Sequence, residues 1–296
     1  MPDYIVDAHH HLWDMNACEH TWLAERGVTR FFGDPAPIQR DYHASDFKTD
    51  FGRLPIRKSV HIQCGVATDS SVAETMFVDK QFDEHGYPNA IIAFVDLTSE
   101  QLEDNLNRHS ASERLRGIRQ IVGRSVEEDR KTGSAELLQS SAFVEGLRVL
   151  ASRELSFDLQ LTPPLMVKAA EVFGRVPELP VALCHCGSPS DFSDQGLEEW
   201  SSGLQHLAEL PNLICKISGF GMFDHQWTTD SIRSYVLRVI EIFGPNRVAF
   251  GSNFPVDKLH GTYQSVMGGY LDITSDFSGD EQNAMFAGTA EAFYQI

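Results

Sequence analysis

Eight short apolar runs rich in β-branched residues recur along the chain: YIVDAHHHL (4–12), SVHIQCGV (59–66), AIIAFVDL (90–97), RGIRQIV (116–122), SFDLQL (156–161), VALCHCG (181–187), LICKISG (213–219) and VAFGSN (248–253). Each reads as a strand buried on both faces, as in a parallel sheet. Between most of them the apolar positions step by three and four. SVAETMFVDKQFDEHG predicts a helix closed by Gly86, and SIRSYVLRVIEIFGP predicts one stopped at Gly244-Pro245. SAFVEGLRVLASRE, PLMVKAAEVFG and LEEWSSGLQHLAEL carry the same period. Capping-box spacing from Thr98 to Gln101, and from Ser278 to Glu281, predicts two further helix starts.

Strands alternating with helices in this number predict a (β/α)8 barrel, a distorted TIM barrel in a single domain spanning 1–296. No glycine-rich phosphate fingerprint follows the first strand, which argues against a dinucleotide-binding sheet. The segment at about 14–58 is too long for a simple link. Its aromatics, Trp22, Phe31 and Phe32, suit an insertion laid over the barrel mouth.

The net charge of −18 argues against nucleic acid and anionic membrane as partners. No apolar run is long enough to span a bilayer, and the opening residues lack the basic start and apolar stretch of a secretory signal. Five cysteines without disulfide-like spacing suit reduced thiols, so a cytoplasmic location is expected. A small-molecule substrate is the expected partner, with homo-oligomerisation left open.

The chemistry starts in YIVDAHHHLWDM. The three histidines are no tag, because a strand leads into them and Leu-Trp-Asp follows. Alternation along a strand puts Val6, Ala8, His10 and Leu12 on one side and Asp7, His9, His11 and Trp13 on the other. The second set is expected to face the lumen, with His9 and His11 at the C-terminal end, where barrel enzymes carry their sites. Other strand ends add Arg119 or Gln120, Gln160, His185, Lys216, Ser218 and Asn253. Ordinary packing does not require these groups to converge on one end of a barrel.

VDAHHHLWD, GIRQ, CHCGSP, CKISGF, FGSNFPVD and NAMFAGTAEAFY together resemble the amidohydrolase superfamily, and more narrowly its amidohydrolase-2, lactonase-like branch. The resemblance implies a hydrolase acting on carboxylic ester bonds, opening a small lactone of a sugar acid or dicarboxylate. It implies a site lined by His9, His11, Arg119, His185 and Asn253, which are the expected catalytic residues; Trp13, Gln63, Gln160 and Lys216 are the expected substrate contacts. His9, His11 and His185 could hold a single zinc or manganese ion, and a metal-free site is the equal alternative. Asn253 stands where the branch carries an aspartate base, so His185 is the expected general base and Asp257 a distant substitute. A metal-dependent hydrolase, a non-oxidative decarboxylase of a neighbouring branch and an inactive sugar-acid-binding barrel are the alternatives.

Overall fold

A computed structural model describes the backbone of residues 1–296 and the side-chain setting of all but Val126. All eight runs form parallel strands: β1 (Ile5–His10), β2 (Ile56–Ile62), β3 (Ala90–Ala93), β4 (Leu115–Ile118), β5 (Ser156–Leu159), β6 (Val181–Leu183), β7 (Leu213–Ile217) and β8 (Val248–Phe250). They pair in sequence order, each with the next. The result is a (β/α)8 barrel with helices outside.

The strands stop earlier than the apolar runs do, because their last residues turn into the rim. Ser278 and Glu281 form the expected capping box. Gly86 closes the Ser71–His85 helix in the left-handed region at φ 81°. The box expected at Thr98 does not form; the helix there starts at Leu102, and Thr98 bonds Asp96 instead.

Outward strand residues such as Ile91, Phe157 and Leu183 pack with the helices in the main core. A second cluster fills the lumen with small and branched side chains from β1, β2, β3, β6, β7 and β8, closed by Ala287, Ala290 and Tyr294 of the C-terminal segment. The expected alternation of β1 fails at its start. Val6 and Ala8 belong to the lumen cluster. Asp7 faces outward, where it accepts bonds from the Ser252 amide at 2.9 Å and the Tyr263 hydroxyl at 2.7 Å. The pairing of β1 with β2 is irregular between Asp7 and His10, and such an irregularity resets which side a residue faces. His9 is thereby turned inward after Ala8, whereas His10 bonds Ser59 and stacks on Phe47, as a structural residue should.

Beyond the short β8, the barrel closes through the site itself. Asn253 donates its amide to the His9 carbonyl, and His11 donates to the Phe254 carbonyl, both at 2.7 Å. Gly251 permits this approach, since a Cβ there would lie 2.6 Å from that of His9.

Candidate active site

A cavity of about 250 Å³ opens at the C-terminal ends of the strands. His11, Arg119, Gln160, His185 and Asn253 reach it from β1, β4, β5, β6 and β8. Trp13 lines it too, held by a bond from its indole N–H to the Arg40 carbonyl. The 14–58 segment supplies Trp22, Arg30, Phe31 and Phe32 as a cover, with the Trp22 indole donating to the Cys64 carbonyl at 2.6 Å.

His185 and Asn253 end their strands at φ 52° and 55°, in the left-handed region. That conformation costs a non-glycine residue about 1–2 kcal/mol, and such costs collect at functional sites. It folds each side chain back over the barrel mouth. His185 bonds Ser218 through Nδ1 at 2.9 Å. Burial first, then the positive charges of Arg119 and Lys216, hold its pKa well below the ordinary 6.5, so its ring is neutral at neutral pH.

Arg119 is almost fully buried. It donates from Nη1 to Gln160 at 3.0 Å and from Nη2 to the Gln63 carbonyl, while its Nε has no partner. Among the described residues no carboxylate pairs with it. Arg30 and Arg124 also line the cavity, but each has a carboxylate: Glu25 lies 2.8 Å from Arg30, and Glu128 lies 3.5 Å from Arg124. Neither arginine sits on a strand, and no periodic signal marks either one.

His11 Nδ1 lies 2.7 Å from the Ile62 carbonyl, which can only accept, so Nδ1 carries a proton. Nε2 faces Asn253 Oδ1 at 3.2 Å, and Asn253 Nδ2 donates to Asp257 at 2.8 Å. Asp257 is buried behind Asn253 rather than in the cavity, and burial raises its pKa to about 7.

Several expected residues lie outside the cavity wall. Lys216, expected as a substrate contact, is fully buried in the lumen below the cavity wall, paired with Asp158, which also accepts the Tyr294 hydroxyl. Gln63 donates to the Arg119 carbonyl and positions that arginine instead of touching the cavity. His9 lies just beneath the cavity, its ring 4.4 Å from His185 and 5.2 Å from His11. Gln120 turns away, bonding Leu97 and Asp96.

Metal fit turns on His9. Both of its ring nitrogens are buried and unpartnered. Its spacing from His11 suits two imidazoles on one ion, whose centroids would lie roughly 5 Å apart at ordinary zinc–nitrogen distances. The Asp158 carboxylate and the Cys184 thiol lie within 4.8 Å of a His9 ring nitrogen, but Asp158 is engaged by Lys216 and the Tyr294 hydroxyl, and His11 Nε2 is turned to Asn253. The donors therefore fit one modestly held ion. The buried group His61, Cys64 and Glu74 is close enough for a metal but is committed otherwise. His61 Nδ1 accepts the Leu12 amide, and the Cys64 thiol donates to the Leu12 carbonyl, so both clamp the end of β1.

The amidohydrolase family model matches residues 6–296. The chain is 34% identical over 294 residues to the uncharacterized protein y4mH of Sinorhizobium fredii, covering 99% of this chain and 98% of that one. It is 24% identical to an L-fucono-1,5-lactonase of Burkholderia ambifaria, over 98% of this chain and 95% of the relative. Among solved structures, an amidohydrolase from Burkholderia multivorans with bound zinc superposes with a TM-score of 0.83 at 22% identity, over 99% of both chains.

Proposed function

The chain belongs to the amidohydrolase family, and from that premise we propose that it is a hydrolase that opens a small lactone. The observation that carries this reading is Arg119, a buried cation with a free donor and no carboxylate, set among His11, His185 and Asn253 at one cavity. One uncompensated positive charge suits one developing negative charge: the oxyanion of an attacked carbonyl, and then the carboxylate of the opened ring. The lactonase relative supports the same class of reaction.

The carbonyl oxygen lies toward Arg119, and the apolar face of the ring rests on the aromatic cover. His185, neutral and oriented through Ser218, takes the proton of an attacking water and returns it to the leaving ring oxygen. Asn253 positions water or the carbonyl through its amide. A divalent ion on His9 and His11, when bound, would polarise the same carbonyl.

Turnover of a panel of five- and six-membered lactones, followed by acid release, tests the proposal. Measurable opening of at least one lactone, lost in Arg119→Met, is expected. No opening of any lactone, with or without added zinc or manganese, would leave the binding-barrel alternative.

A further inference from the structure

Phe31, Arg124 and Met222 line the catalytic cavity and also line a second chamber of about 400 Å³ beside it. Half of the residues that line that chamber are apolar. Pro163 and Pro164 come from the turn after β5, Pro189 from the rim after β6 and Phe223 from the loop after β7. Phe223 stacks on Phe31 with centroids 6.0 Å apart. Trp200 backs the chamber, its indole N–H fixed on the Cys186 carbonyl at 2.7 Å.

The polar lining is Arg124, Ser125, Thr162, Ser190, Asp191 and Glu199. Proline offers no backbone donor, so three wall positions have none. The Ser125 hydroxyl is engaged in capping the helix that follows, at the Glu128 amide. The lining acids, Asp191 and Glu199, are exposed carboxylates that would repel an anion. Arg124, at the junction, already faces Glu128. An acidic tail would be opposed there, whereas the proline, aromatic and methionine surfaces suit an apolar one.

We propose that this chamber is a distal subsite for an uncharged, apolar substituent on the lactone ring whose carbonyl lies in the first cavity. The preferred substrate is then a ring carrying an alkyl or aryl tail. This rests on the lactonase reading, but the binding preference can be measured without it.

The test compares δ-valerolactone with its pentyl-substituted analogue δ-decalactone. Burying even part of the pentyl chain should raise kcat/KM by at least about tenfold. The ring-opened hydroxy acids, titrated calorimetrically, should show the same preference. Ser190→Trp fills the chamber from its exposed edge, and Pro164→Glu puts a charge on its wall. Each should cut the preference for the pentyl compound to below about twofold, with folding checked by circular dichroism. An equal response to both compounds in the wild type would overturn the proposal, as would a preference that survives both substitutions. If neither lactone opens but the pentyl acid still binds more tightly in a Ser190-dependent way, the subsite stands and the hydrolase reading fails. Opening of both without preference has the reverse meaning.

Discussion

Through Asn253, a carboxylate that never reaches the cavity is tied to one of its histidines. The His11 Nδ1 proton is fixed by the Ile62 carbonyl, so a neutral His11 presents a lone pair at Nε2. Asn253 can satisfy that lone pair only with its NH2, and its oxygen must then accept from a protonated Asp257. Burial, then the charge of Arg119, holds the His11 pKa well below 6.5, so the neutral ring is the form Asn253 meets. Asp257, raised by burial from 3.8 to about 7, loses its own proton near neutral pH. Because its folded pKa lies above its unfolded one, its stabilising contribution is full below about 4 and is lost as pH rises through about 7. Asp257→Asn removes that dependence. The variant should gain roughly 1–3 kcal/mol on the wild type between pH 5 and pH 8 in urea unfolding, at under 1.4 kcal/mol per unit; parallel pH curves would remove Asp257 from the account. His185 carries a second expectation. Its pKa is depressed by burial and by the Arg119 and Lys216 charges, so the base form persists into acid, and the acidic limb of kcat/KM should fall below 6.5. His185→Ala should lose at least about 100-fold in rate. Asn253→Asp, which adds a negative charge beside these rings, should move the limb upward. A wild-type rate profile in His185→Ala would mean that another group is the base.

At the scale of elements, what the sequence announces is the period and what it conceals is the interruption of the period. All eight strands are legible, because each is a short apolar run bounded by turn residues. The facing of β1 is not, because the irregularity between Asp7 and His10 leaves no mark on the alternation of residue types. His9 and His11 are predicted inward and lie inward, although Asp7, two residues before His9, does not. Depth is hidden too. Lys216 reads as an inward cation, but only the structure shows it below the cavity against Asp158. Arg30 and Arg124 lie on irregular segments and have no period to be read from. A close element contact in the site, Gly251 against His9, gives a direct test. Gly251→Ala must push His9 aside, at an overpacking cost of about 1–3 kcal/mol. A fall in Tm of several degrees and a loss of at least about tenfold in kcat/KM are expected together. Gly268→Ala, in the middle of the Tyr263–Ile273 helix with no atom within 4 Å of the added carbon, should instead stabilise by about 0.5–1 kcal/mol. If both substitutions behave alike, β8 does not press on His9.

At the scale of the whole molecule, charge sets the terms on which ligands and ions reach the site. With His9 and His11 as its main donors, and the neighbouring Asp158 held by Lys216 and Tyr294, the centre should keep at most one divalent ion per chain after overnight dialysis against a strong chelator, by elemental analysis; two retained ions would contradict the donor count. The 42 acidic and 24 basic residues leave −18 on the outside, while the cavity holds one uncompensated arginine. An approaching anion is therefore repelled at long range and attracted only at the last step. At about 0.01 M salt the screening length is roughly 30 Å, comparable with the protein's own width, and at about 0.15 M it is roughly 8 Å. Raising salt across that range removes most of the long-range repulsion and little of the buried attraction to Arg119. A neutral lactone feels neither. The association rate of the ring-opened hydroxy acid, measured by stopped flow, should therefore rise several-fold with salt, while kcat/KM for the neutral lactone changes by less than about twofold. The same field would speed departure of the anionic product at low salt. Slower association of the hydroxy acid as salt increases would mean that the local field of the cavity, and not the −18 of the surface, governs entry.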